Sequence, residues 1–145
     1  MSAEEANVAL VKKVYDLWNN RDLDGAVDLA TDDVEIRLVA LDQTLIGRDG
    51  FRRFMERFAT ASSDMKKAIT NQVASEDQVV SEFRLRGTHD GPLRTPHGKI
   101  PPTGHAVDLP VVEVIAIRGG RVASIRNYSD TATLMRQLGV DEFRR

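Results

Sequence analysis

Three polar side chains fall where strand alternation calls for apolar ones: His89, Glu113 and Asn127. In the run Ala106–Arg118 the odd positions Val107, Leu109, Val111, Ile115 and Ile117 share a face with Glu113. In Arg121–Tyr128, Ala123 and Ile125 share a face with Asn127. His89 has the parity of Val79, Phe83 and Leu85, at the end of the run Gln78–Thr88. A polar group on such a face either finds a partner or lines a pocket. Apolar walls disfavour the charged form of a carboxyl group and so fit it for general acid or base work. A carboxamide beside it can hold an enol or enolate oxygen. An imidazole can shuttle protons near neutral pH.

Each position also has a structural reading. Glu113 can pair across the sheet with Arg37 or Arg84, since buried ionisable groups are usually paired. His89 can cap the pocket rim through hydrogen bonds to the loop Ile100–Gly104. Asp130 follows Ser129 and precedes TATLMRQLG; it is either a helix N-cap or a catalytic carboxylate. Tyr15 and Trp18 lie on the inner stripe of the first helix, where aromatic residues serve a core or a ligand site. The buried hydroxyl of Tyr15 would need a partner, which a ligand could supply. Phe54 lies on the apolar face of a later helix, with Phe51, Met55 and Phe58.

Strand register decides which of these groups meet. Gly119-Gly120 is a tight hairpin signal that pairs Arg118 with Arg121. Counting outward from that pair puts Val112 opposite Asn127. Glu113 and Asn127 then both face inward only if a bulge interrupts the ladder between them. Both are expected to face inward.

The elements that must position these residues follow from periodicity. Glu4–Asn19 is helical, with Val8, Val11, Val14, Tyr15 and Trp18 on one stripe. Asp22 caps a short second helix through Ala30. Val34–Val39 alternates as a strand, and Arg48–Ala61 is a third helix. Met65–Ala74 is a weak strand candidate and Gln78–Thr88 a better one. A loop of about fifteen residues rich in Gly, Pro and His comes next, then Ala106–Arg118, Arg121–Tyr128 and a closing helix Asp130–Leu138 ended by Gly139. Helices gathered first and long strands last predict an α+β domain over residues 1–145. A curved, mostly antiparallel sheet wrapped around the long N-terminal helix would form a cone-shaped barrel enclosing a small-molecule cavity.

Bulk properties narrow the function classes. The chain has 145 residues, 41% apolar and 29% charged, with a net charge of −2. That balance gives no electrostatic case for nucleic acid or an anionic membrane. No apolar run approaches the roughly 20 residues that span a bilayer. The N-terminus lacks the basic and apolar regions of a signal peptide, so a cytoplasmic location is expected. With no cysteine there is no thiolate nucleophile or thiolate metal site. His89, His97 and His105 lie eight apart, without the short-spaced pair of a zinc site, so no metal is expected. There is no phosphate loop, dinucleotide fingerprint or GxSxG elbow.

The segments NNRDLDGAVDLATDDVEI, GTHDG, IPPTGHAVDL and MRQLG, in that order, resemble the SnoaL-like polyketide cyclases of the nuclear transport factor 2-like superfamily. The resemblance covers nearly the whole chain. It implies the cone-shaped α+β barrel, a homodimer or homotetramer, and no metal or organic cofactor. It also implies a hydrophobic polyketide-type substrate closed by intramolecular aldol or related enolate chemistry. A pocket aspartate, helped by a histidine on the neighbouring strand, is the acid/base in the best-known members. Counting back from RQLG, the aspartate position falls on Asn127 and the histidine position on Glu113. An asparagine cannot act as a general base. The function therefore moved to Glu113, or Asp130 or His89 supplies it, or the chain binds ligands without chemistry of its own. The ketosteroid isomerases of the same superfamily match less well, because the position of their catalytic aspartate falls near Leu38.

Overall fold

A computed structural model describes residues 1–140; positions 141–145 of the expected domain lie outside the described residues. The chain runs α1 (Ala3–Asn19), α2 (Leu23–Val27), β1 (Ala30–Leu38), a 3-10 turn at Val39–Leu41, β2 (Gln43–Ile46) and α3 (Gly47–Ala61). Then come β3 (Lys66–Ser75), β4 (Gln78–Thr88), β5 (Leu93–Thr95), β6 (Gly98–Ile100), β7 (Ala106–Arg118), β8 (Arg121–Ser129) and α4 (Thr131–Leu138). The fold is α+β, with one mixed, curved sheet in the order β2-β1-β8-β7-β4-β3. Every neighbouring pair is antiparallel except β1 with β8, which run parallel.

Local chemistry explains the element ends. Ser2 and Glu5 form a reciprocal capping box that starts α1. Asp22 caps α2 through the amide of Gly25. Gly139 takes the left-handed conformation that ends α4. Gly119 and Gly120, at φ 58° and 73°, make the two-residue turn between β7 and β8.

The inner face of the sheet carries the core. Val34, Ile36, Val79, Phe83, Leu85, Leu109, Val111, Ile115 and Ile125 are all buried there, under α1 and α3. The outer face holds the charges: Arg84 and Arg86 both pair with Asp108, and Arg37 pairs with Asp42. Neither Arg37 nor Arg84 is therefore the partner of Glu113.

Several boundaries differ from the periodicity reading. β1 begins at Ala30 rather than Val34, because Ala30 and Thr31 are buried at the start of the strand. The loop before β7 folds back as the small hairpin β5–β6, too short to show an alternation. β2 is likewise only four residues, with one partly buried position. Among the described residues no helix is long and apolar enough to cross a membrane.

Candidate active site

The bulge that Glu113 and Asn127 require is present. The β7–β8 ladder runs in step from Arg118–Arg121 to Ile117–Val122, then slips by one residue so that Ala116 faces Ser124. Ala123 is the extra residue. It leaves the inner face, where the unbroken alternation would have put it, and Val122 takes that side instead. From there the ladder pairs Glu113 directly with Asn127, and both side chains are buried.

Glu113 is the centre of the site, at 1% exposure. The Tyr15 hydroxyl donates to its Oε1 at 2.7 Å, and the Asn127 amide Nδ2 donates to its Oε2 at 2.8 Å. Each carboxylate oxygen keeps a lone pair for another donor. The Asn127 carboxamide was expected to hold an enolate oxygen and the Tyr15 hydroxyl to meet a ligand. In this structure both donate to the carboxylate, because the ladder register puts Asn127 at its side and α1 carries Tyr15 to it. Burial, then the charge of Glu113 and the hydrogen bond to it, push the Tyr15 pKa well above 10.0, against a smaller opposite effect from Ser81. Tyr15 therefore stays a donor.

Lys67 completes the site, and alternation of β3 would have placed it there: Met65, Lys67 and Ile69 share the inner parity. Its ammonium sits 4.8 Å from the Trp18 ring centre, 4.9 Å from Tyr15, 5.4 Å from Phe83 and 6.0 Å from Phe54. Such a box holds a cation by ring electrostatics. The backbone of Lys67 is clamped by the last residue of α1: its N–H donates to Asn19 Oδ1 at 2.8 Å, and its carbonyl accepts from Asn19 Nδ2 at 3.1 Å. Among the described residues the ammonium donates no hydrogen bond. Its pKa is lowered from 10.5 chiefly by burial, with Glu113 pulling it back up and Arg21 adding to the fall.

Two cavities adjoin at this point. An inner recess of about 30 Å³ is lined by Glu113, Asn127, Lys67, Trp18, Phe83 and Phe54, among others. It has room for about one water-sized group. An outer cleft of about 430 Å³ lies between α3, β2 and the β5–β6 hairpin. Leu38, Phe54 and Arg57 line both. The outer cleft is large enough for a small organic ligand, and it shares three wall residues with the recess that holds Glu113 and Lys67.

The other candidate residues lie apart. Asp130 is exposed and caps α4, accepting from the Thr133 amide at 3.0 Å and the Thr133 hydroxyl at 2.7 Å. Those bonds hold its carboxyl below the usual 3.8. His89 is 1% exposed but lines neither cavity. Its Nδ1 accepts from the Thr103 amide at 3.2 Å and lies 2.9 Å from the Thr103 hydroxyl, within the IPPTG loop. Its Nε2 is buried without a partner. Burial pushes its pKa below 6.5, against the pull of Asp90. Among the described residues no group of three or more acidic or histidine side chains is placed to hold a metal.

The fold recurs in solved structures. A protein of Jannaschia sp. CCS1 described as a SnoaL-like polyketide cyclase superposes with a TM-score of 0.83 at 24% identity, covering 97% of each chain. One from Xanthomonas campestris pv. campestris described as a polyketide cyclase gives 0.77 at 22%, over 94% of this chain and 99% of the other. A hypothetical protein of Catenulispora acidiphila DSM 44928 with a ketosteroid isomerase-like fold, in complex with trimethylamine, gives 0.75 at 18%, over 91% of this chain and 93% of the other. No curated protein matches the sequence. The SnoaL-like polyketide cyclase family model matches residues 8–138, and the chain belongs to that family.

Proposed function

We propose that the protein is a cofactor-free acid/base enzyme acting on a hydrophobic, polyketide-type carbonyl compound. One observation carries the reading: a buried carboxylate, oriented by two donors, shares a recess with an ammonium that has no acceptor of its own. Glu113 takes a proton from the carbon next to a carbonyl, and the bond electrons move onto the carbonyl oxygen. Lys67 donates a hydrogen bond to that oxygen, where negative charge develops. The enolate carbon then attacks a second carbonyl of the same molecule, and the proton held by Glu113 returns to the new alkoxide. Tyr15 and Asn127 hold the base in place, and Trp18 and Phe54 shape the walls. The family resemblance supports assembly as a homodimer or homotetramer, which light scattering on the purified protein decides.

The test follows hydrogen–deuterium exchange next to the carbonyls of aromatic 1,3-diketones by proton NMR, with purified protein alone. Wild type should accelerate exchange, and Glu113→Gln should lose about 10²–10⁴-fold of that acceleration while remaining folded. Equal rates for the two proteins would end the assignment. The resemblance supports a second reading, a binding or accessory protein, because it implies a carboxylate at the position of Asn127. Ligand binding without any exchange would select it.

A further inference from the structure

The outer cleft has a charge character that carbonyl chemistry alone does not require. Four cations line it, Arg53, Arg57, Arg94 and Lys99, against one carboxylate, Glu56. Among the described residues none of the four is in a salt bridge. Three of them are exposed, and their charges are solvated. Arg57 differs: it is partly buried, and it stands at the junction, lining both the cleft and the inner recess. Its Nε donates to the Arg94 carbonyl at 3.2 Å, and the guanidinium carbon lies 5.0 Å from the Phe58 ring centre. Its remaining N–H donors have no protein acceptor among the described residues.

We infer that the junction of the outer cleft and the inner recess is a binding subsite for a carboxylate of the substrate, held by the guanidinium of Arg57. This rests on the reading of Glu113 and Lys67 given above and narrows its substrate class to hydrophobic keto acids, as opposed to neutral esters or ketones. A guanidinium offers a planar fork of donors that matches a carboxylate in a bidentate pair. Burial already disfavours the charge of Arg57, lowering its pKa to about 10. A bound anion would relieve that cost, whereas a neutral ester would leave it in place. The apolar walls Leu38, Leu41, Leu45 and Phe54 of the outer cleft take the rest of the carbon skeleton. Arg53, Arg94 and Lys99 around the mouth would attract the acid and speed its entry.

The test compares 2-naphthoate with methyl 2-naphthoate by calorimetry and by nitrogen–proton correlation NMR. The chain has a single tryptophan, so the Trp18 indole is one signal on the wall of the inner recess. Wild type should bind the acid about tenfold or more tighter than the ester, the worth of one hydrogen bond to a charged group. Arg57→Gln should remove the difference, and Arg57→Lys should keep part of it. Equal binding of acid and ester to wild type overturns the subsite and leaves the acid/base reading standing, because deuterium exchange measures that independently. A preference for the acid that survives in folded Arg57→Gln overturns the role of Arg57. Inorganic phosphate competing as strongly as 2-naphthoate would mark a general anion site and overturn the carboxylate assignment. Binding of neither compound overturns the subsite as well.

Discussion

Glu113 and Asn127 face each other directly across β7 and β8, and the Asn127 amide lies 2.8 Å from the carboxylate. The pair exists because Ala123 is bulged out of the ladder four residues earlier. Without that slip Asn127 would face Val112 and the amide would be lost to Glu113.

Replacing Asn127 with Asp puts two carboxylates within hydrogen-bond distance. They cannot both ionise freely and would share one proton. Asn127→Asp should lower deuterium exchange at neutral pH and show two coupled titration steps by carbon-detected NMR. Asn127→Leu should cost about tenfold through a less oriented base. A fully active Asn127→Asp with one ordinary titration would contradict the orienting role of the amide.

Lys67 should matter as a charge and as a shape. Lys67→Met should reduce exchange by about 10²–10³-fold if the ammonium holds the developing oxyanion. Its pKa is lowered by burial, so the ammonium is lost below the usual lysine range. Wild-type activity should therefore decline on the alkaline side before pH 10.5 is reached. Lys67→Arg keeps a cation and should carry whatever activity remains to higher pH. A pH–rate profile for the two proteins checks this.

His89 should make the fold sensitive to mild acid. Its folded pKa lies below 6.5. The unfolded chain thus takes up this proton more readily than the folded one. Stability should fall as pH drops through about 6.5 and level off below the folded value. Carboxylates with lowered pKa values, such as Asp64 and Asp108, add their own losses at lower pH. Urea titrations between pH 5 and 7 on wild type and His89→Gln should show the first window only in wild type, while the exchange rate of the variant stays near wild type.

Asp130 should behave as a cap. Asp130→Ala removes both acceptors of Thr133 at the start of α4. It should lower the denaturation midpoint and leave deuterium exchange unchanged. A rate loss without a midpoint change would return Asp130 to the catalytic candidates.

The site was legible in the sequence where strand parity spoke strongly. β7 alternates over its whole length, so Glu113 stands out as the one charged residue on a buried face. The α1 stripe marked Tyr15 and Trp18 in the same way. Lys67 was not found, although parity with Met65 and Ile69 was the available signal. A lysine reads as solvated by default, and β3 alternates weakly because its own bulge near Thr70 shifts the pattern. The aromatic rings that hold Lys67 come from α1, α3 and β4, and no local pattern shows that they converge. Arg57 was hidden for a related reason: its place at a cavity junction depends on how α3 meets the β5–β6 hairpin. His89 was correctly read as inward, but what it meets depends on the path of the IPPTG loop.

The parallel pairing of β1 with β8 has a consequence for how the molecule is made. β1 spans residues 30–38 and β8 spans 121–129, so one side of the central ladder leaves the ribosome long before the other. Until β8 emerges, the nascent chain carries β1 with an open hydrogen-bonding edge beside only the short β2. Closing so large a loop carries an entropic cost that slows pairing of the two strands. Asn127 arrives with that strand. Glu113 thus acquires its second donor only once β8 has emerged and paired, and a ribosome-stalled fragment ending before β8 should show this as greater misassociation than the full chain.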